Sequence, residues 1–311
     1  WEEAVYKVNL PAHRGGTTDS IFNQAVLKCR ERLLRSGVDL NGYHTKEIAA
    51  DIEDLRRSLD IEKYNFLSMS YSTKIAQVLL RDHPQSIRSV VMDSPLPLES
   101  NYDEVSITNL YEAVNKLLAD CESDTDCNKA IPNLKSRFFQ YLKAANQKPL
   151  VIKVKHPDDG SDEIFELKGK DLMTVFSDAS TGGVPNIPFE MNKLLNGDYS
   201  SIEKKLTKLF RKPGNGDGKG MRLSVWCAEE FPFANQTVVE AQKNKYPALQ
   251  GLSSADISSD VCNIWNVKKV DNLENEAVKC DIPVFLISGE YDENSPSYFA
   301  EMLTKNLAIS Y

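Results

Sequence analysis

The chain lacks a basic surplus. Its 37 Lys and Arg stand against 45 Asp and Glu, for a net charge of −8 and a pI of about 5.2. Nucleic-acid phosphates need a positive face, so this balance excludes DNA and RNA as expected partners. It argues equally against anionic membrane surfaces. No apolar run approaches the roughly 20 residues that cross a bilayer, so no membrane span is expected. None of the six cysteines stands in a Cys-x2-Cys pair, which removes the usual zinc spacing. Internal repeats and low-complexity tracts are missing, which sets aside repeat arrays. A secretory leader and an initiator Met are also missing, and a start at Trp1 suggests a processed or truncated end.

What is present is enough for a large core: 311 residues, 41% of them hydrophobic. Val5 to Ala12 reads as a short strand with Pro11 near its end, where proline is tolerated. Phe22, Ala25, Val26, Cys29 and Leu33 recur at helical spacing, and Gly37 ends that helix. Thr45 reads as the N-cap of a second helix, with Glu47 in its first turn and Ile48, Ile52, Leu55 and Leu59 on its apolar face. A strand to Ser70, a helix to about His83-Pro84 and a strand from Ile87 to Met92 follow. Alternation at these lengths predicts an α/β fold with a doubly wound, mostly parallel sheet.

From about 102 to 246 the chain is more polar and mostly helical. Leu150 to Leu167 is the exception: two alternating runs flank Pro157-Asp158-Asp159-Gly160, a hairpin signal. Gly182-Gly183 and Pro213 to Gly218 read as loops. The sheet resumes at Ile282 to Ser288, and a helix from Tyr298 to Leu307 closes the chain.

The most informative stretch is Tyr64-Asn65-Phe66-Leu67-Ser68-Met69-Ser70-Tyr71-Ser72-Thr73-Lys74-Ile75-Ala76. An aromatic, apolar strand runs into small residues around a serine, and a helix begins at once. Strand, sharp turn with Ser at the tip, then helix is the setting of a nucleophile elbow. The usual pattern is Gly-x-Ser-x-Gly, and here Ser68 and Ser72 stand where the glycines would be. Serine is small enough but tolerates positive φ less well.

Together with Arg88-Ser89-Val90-Val91-Met92-Asp93-Ser94-Pro95, this stretch resembles the prolyl iminopeptidase and tripeptidyl aminopeptidase-like serine peptidases of the α/β-hydrolase superfamily. His13-Arg14-Gly15 is similar to the family's Arg-Gly loop. Ser224-Val225-Trp226-Cys227-Ala228-Glu229-Glu230 is similar to its Cys-x-Glu-Asp segment after the lid. Ile282 to Asp292 resembles the strand and loop that carry its catalytic Asp. The resemblance covers most of the chain. It implies a core at 1–101, a helical lid with a β-hairpin at 102–246, and a second core part at 247–311. A lid of this kind shapes the substrate pocket and excludes water.

By that resemblance Ser70 is the nucleophile, the backbone N–H of Tyr71 is an oxyanion donor, and Asp292 orients the base. Asp93 is the alternative acid. Glu229 and Glu230 are candidate carboxylates for a substrate's free amino group, since a buried carboxylate attracts an ammonium. No metal or other cofactor is implied. The family's histidine follows its catalytic Asp, yet His13, His44, His83 and His156 all precede Asp292. The family's first strand and its His-Gly-Gly-Pro-type loop are likewise not found. The resemblance implies an aminopeptidase-type serine hydrolase that cleaves short N-terminal pieces from peptides through an acyl-enzyme on Ser70, and a complementing chain or segment is one expected source of the missing strand and histidine. The alternatives are an esterase of the same fold, or an inactive homologue that binds peptide or serves as a subunit.

Cys121 and Cys127 close a small loop rich in Asp, Ser and Thr, which suits a local disulfide. The resemblance supports that pair and adds Cys227–Cys262. It leaves Cys29 and Cys280 to pair with each other, stay as thiols, or bond elsewhere. Asn235-Gln236-Thr237 is a glycosylation sequon. Disulfides and a sequon together point to a secreted or lysosome-like setting.

Overall fold

The structure is a computed structural model, and it describes the chain except residues 1–17, 178–182, 211–217 and 253–256. The strand expected at Val5 to Ala12, His13-Arg14-Gly15, Gly182 and most of the Pro213–Gly218 loop lie outside the described residues.

The elements run in this order. Helices α1 (Thr18–Arg35) and α2 (Thr45–Ser58) precede strand β1 (Tyr64–Met69), helix α3 (Ser72–Asp82) and strand β2 (Ile87–Asp93). Then come α4 (Tyr102–Ser123), α5 (Thr125–Ala130), α6 (Leu134–Gln147), the strands β3 (Leu150–Lys155) and β4 (Asp162–Leu167), α7 (Gly169–Ser177), α8 (Ile187–Leu195), α9 (Ser200–Lys208) and α10 (Lys219–Val225). A π-helical turn, Trp226–Glu230, leads on to α11 (Gln236–Lys245), α12 (Ser259–Trp265), β5 (Val284–Ile287) and α13 (Ser297–Thr304). The chain groups into two compact units. One holds Arg32–Glu104, Gly220–Asn235 and Ile257–Tyr311; the other holds Trp1–Glu31, Val105–Lys219 and Gln236–Asp256.

The first unit is built on a parallel sheet of order β1-β2-β5. Residues 308–311 lie alongside β5: Val284 N–H donates to Ile309 O at 2.9 Å, and Tyr311 N–H donates to Val284 O at 3.1 Å. One sheet face packs on helices. Val90 and Met92 of β2 and Val284 of β5 are buried with Ile75, Val78 and Leu79 of α3, Ala49 of α2 and Leu303 of α13. On the opposite face Leu67, Val91 and Phe285 fall in one row across the three strands. There Leu67 is 76% exposed and Phe285 51%.

The start of α2 differs from expectation. His44 occupies the N-cap position in extended backbone and makes no side-chain cap bond, while Thr45 is the first helical residue. The cap comes from outside the local sequence. The Glu229 carboxylate accepts both the Thr45 N–H and the Thr45 hydroxyl. A helix N-terminus leaves N–H groups unpaired and favours negative charge, so a distant carboxylate satisfies it as well as a local one.

The second unit is mostly helical. Its hairpin pairs Leu150 with Leu167 through Lys155 with Asp162 in antiparallel register, as the turn signal predicts. The hairpin's inner face is closed by Phe165 against Phe210, centroids 5.9 Å apart, and Phe138 packs on Phe176 at 5.8 Å. Gly169 opens α7 because a Cβ there would meet Leu142 O at 2.5 Å and Ala248 O at 2.6 Å. The Cys121–Cys127 disulfide forms, joining α4 to α5.

Candidate active site

The elbow is one of five places where a described non-glycine residue has positive φ, with Asp60, Ser94, Asn133 and Asn266. Ser70 sits at φ +55°, between the last residue of β1 and the first turn of α3. A non-glycine residue in this region is disfavoured by roughly 1–2 kcal/mol. Observed outliers of this kind cluster at functional sites. Within the elbow the positive φ falls on Ser70 alone: neither Ser68 nor Ser72 has one. That removes the objection to serine at those two positions.

Both serines hold the turn instead. The Ser72 hydroxyl accepts from Met69 N–H at 2.7 Å and donates to Met69 O at 2.8 Å. Ser68 is buried and donates to Val91 O on the neighbouring strand at 2.9 Å. Ser70 N–H donates to Asp93 O at 2.9 Å, and Ser94 N–H donates to Ile287 O at 2.8 Å. These two bonds tie the carboxyl ends of β1, β2 and β5 side by side. The loop holding Asp292 leaves β5 at that same edge.

Ser70 is exposed and Tyr71 half-buried. Tyr71 opens α3 with helical dihedrals, φ −50° and ψ −38°. Helices leave their first N–H groups without intrahelical acceptors, so the Tyr71 N–H is available at the tip of the elbow. Burial pushes the Tyr71 hydroxyl well above its ordinary pKa, so it acts as a neutral donor.

Asp292 organises its own loop. Its Oδ1 accepts from Asn294 N–H at 2.9 Å and Ser295 N–H at 3.0 Å, and its Oδ2 accepts from the Ser295 hydroxyl at 2.7 Å. Three donors leave the carboxylate with one lone pair for a further partner. Asn294 Oδ1 in turn accepts from the Tyr102 hydroxyl at 2.8 Å. Burial pushes that hydroxyl up to about 12. Asp93 Oδ1 accepts from the Ser94 hydroxyl at 3.3 Å, at the start of the loop after β2.

Glu229 and Glu230 are buried at the π-helical turn after α10. They face in different directions. Glu229 reaches Thr45 on α2, and burial raises its pKa. Glu230 forms an ion pair with Lys74 of α3 and accepts from Tyr102 N–H at 3.2 Å. Asn101 Nδ2 donates to the Glu230 carbonyl at 2.8 Å. The turn is fixed from behind by the Cys227–Cys262 disulfide to α12. Cys29 and Cys280 remain thiols. Asp103, at the start of α4, is buried beside Trp226, whose indole N–H lies 3.4 Å from it. Burial pushes this carboxyl up to about 7.

Sequence reasoning missed Lys74, Thr45, Tyr102, Asn294 and Ser295 as members of this network. Lys74 alone left a signal, as a cation inside the buried run Thr73–Leu80 of α3. Of the histidines, His44 sits at the N-cap position of α2 with its Nε2 4.0 Å from Glu47, and His83 sits at the C-cap position of α3, its backbone N–H donating to Leu79 O. His156 lies in the hairpin, its Nδ1 accepting from Asp158 N–H at 3.2 Å, and His13 is outside the described residues. Asn235 is exposed just before α11, with its N–H donating to Glu104 at 2.6 Å.

A family profile described as the alpha/beta hydrolase fold matches residues 15–168, a span that includes the elbow. The chain has the α/β-hydrolase fold. Serine protease Hip1 of Mycobacterium tuberculosis is 26% identical over 88 residues, covering 27% of this chain and 16% of Hip1. Putative hydrolase YuaR of Escherichia coli is 22% identical over 267 residues, covering 80% of this chain and 51% of YuaR. The chain therefore spans about half or less of the curated relatives it matches. A solved structure described as an epoxide hydrolase of the alpha/beta hydrolase superfamily, from metagenomes of hot environments, aligns with a TM-score of 0.30 and 10% identity over 88% of this chain and 66% of that chain. No described helix of this α/β-hydrolase-fold chain is long and apolar enough to cross a membrane.

Proposed function

We propose that this chain is a serine hydrolase with Ser70 as its nucleophile, and that its reaction is peptide cleavage of the aminopeptidase type. The observation that carries the reading is Ser70 at φ +55° on a strand-to-helix turn at the carboxyl edge of a parallel sheet. In this reading the Ser70 hydroxyl attacks the scissile carbonyl and forms an acyl-enzyme, which water then hydrolyses. The Tyr71 N–H stabilises the oxyanion of each tetrahedral intermediate. Asp292 orients a histidine, which takes the Ser70 proton and returns it to the leaving amine. The two disulfides favour an oxidising, extracytoplasmic setting.

Glu229 and Glu230 are the carboxylates proposed to meet the substrate's free amino group. The similarity to a protein named as a serine protease supports peptide over ester as the substrate class. The test is labelling by a fluorophosphonate, read by intact mass, followed by hydrolysis of short peptides with free and acetylated amino ends. One adduct that disappears in Ser70→Ala, with preference for the free amino end, is expected. Cleavage of esters but not peptides would make the protein an esterase. No adduct on the native protein would leave peptide binding or a subunit role.

A further inference from the structure

We propose that Thr45 and Glu229 are positioning residues that aim the Tyr71 N–H at the oxyanion, a role that rests on Ser70 being the nucleophile. The observation is a chain of three hydrogen bonds. The Tyr71 hydroxyl lies 2.9 Å from Thr45 Oγ1, and Thr45 Oγ1 donates to Glu229 Oε2 at 2.6 Å. A threonine hydroxyl has one proton, and here it is spent on Glu229. The 2.9 Å bond is therefore donated by Tyr71. Glu229 is held on its other oxygen by the Thr45 N–H, so the acceptor at the end of the chain is fixed to the first residue of α2.

Tyr71 is thereby held at both ends. Its backbone starts α3, with Lys74 N–H donating to Tyr71 O at 3.0 Å, and its ring tip is fastened to α2. The residue that follows a strained serine cannot swing without breaking one of these bonds. An oxyanion donor is effective only when it lies about 2.7–3.1 Å from the place where charge develops. A shift of the ring tip reaches the N–H through the Tyr71 backbone. A 1 Å misplacement at a reacting centre costs on the order of a hundredfold.

This role separates Glu229 from Glu230. The contacts of Glu229 run to Thr45 on both oxygens. Those of Glu230 run to Lys74 and to the Tyr102 backbone. Glu229 then acts through Thr45, which withdraws it from the two carboxylates offered above to the substrate's amino group and leaves Glu230.

The test compares Thr45→Val, Tyr71→Phe and Thr45→Ser in the native protein with every polypeptide it carries. Substrates are a short peptide with a free amino end and its acetylated counterpart. Thr45→Val and Tyr71→Phe should each lower kcat about tenfold to a hundredfold on both substrates with KM unchanged. Thr45→Ser keeps the hydroxyl and should restore the rate. A KM rise confined to the free-amine substrate would assign Glu229 and Thr45 to amine binding and overturn the proposal, as would an unchanged kcat. Hydrogen exchange of a peptide covering Met69 to Lys74 gives a second readout that needs no turnover. Faster exchange in Thr45→Val and Tyr71→Phe but not in Thr45→Ser is expected, and wild-type exchange in both would also overturn it. If the unmutated protein takes no fluorophosphonate, the reading of Ser70 fails by itself, and exchange still decides whether Thr45 holds Tyr71.

Discussion

Lys74 and Glu230 lie 156 residues apart and form an ion pair in which the side chains are only 8% and 7% exposed. A buried pair is unlike a surface one. Removing one partner leaves the other charge in low dielectric, at a cost of about 3–5 kcal/mol. Lys74→Met should therefore lower stability by that amount in urea denaturation. Lys74→Met combined with Glu230→Gln should recover more than half of the loss, because the amide is neutral and still accepts from Tyr102 N–H. A cost under about 1 kcal/mol for the single change would mean that the pair behaves as an exposed one.

The two disulfides should differ in worth. Cys227–Cys262 spans 35 residues and Cys121–Cys127 spans 6. Loop-closure entropy assigns roughly 4 kcal/mol to the first and roughly 2 kcal/mol to the second. Replacing Cys227 and Cys262 by Ser should shift the thermal midpoint further than replacing Cys121 and Cys127. It should also loosen the turn that carries Glu229 and Glu230. Equal shifts would argue against the entropic account.

Asp103 gives the protein a pH dependence of known sign. Burial pushes its folded pKa up to about 7, against about 3.9 in an unfolded chain. Between these values the unfolded acid is ionised while the folded one keeps its proton. Stability from this group is complete below about pH 4 and is lost as pH rises towards 7. Asp103→Asn should remove the dependence. Its stability relative to the unmutated protein should climb by on the order of 2–4 kcal/mol between about pH 4 and pH 8. A flat difference across that range would place the titration elsewhere.

Ser70 should be a site where function opposes stability. Its φ of +55° suits glycine. Ser70→Gly relieves roughly 1–2 kcal/mol of backbone strain and loses part of that to unfolded-state entropy. A net gain of about 0.5–1 kcal/mol is expected in chemical denaturation, with fluorophosphonate labelling abolished. Ser70→Ala should abolish labelling without the gain. A destabilised Ser70→Gly protein would mean that the turn needs the hydroxyl for more than chemistry.

The elbow was legible because its signals are local. An apolar strand, a serine tip and a helical face occupy a few consecutive residues, and β1, Ser70 and α3 appear where the spacing puts them. The hairpin was legible for the same reason. The cap of α2 was half-legible: a hydroxyl residue marks the right turn, but His44 takes the cap position and Thr45 is drawn to Glu229, 184 residues away. No pattern in a single sequence encodes such a partner. The disulfide Cys227–Cys262 was reached through family resemblance alone, whereas Cys121–Cys127 could be read from its short loop. The partners of Glu229 and Glu230 emerged only from the packing of α2, α3 and the π-helical turn.

One consequence follows from the Ser72 hydroxyl, which engages both the N–H and the carbonyl of Met69. Glycine at such a corner supplies room and nothing else. Serine supplies room together with a clasp, so the two residues are alternative solutions to one geometric problem. A search keyed to glycines passes over chains that chose the clasp. A hydroxyl at the position of the second glycine is accordingly a second way of writing the same corner.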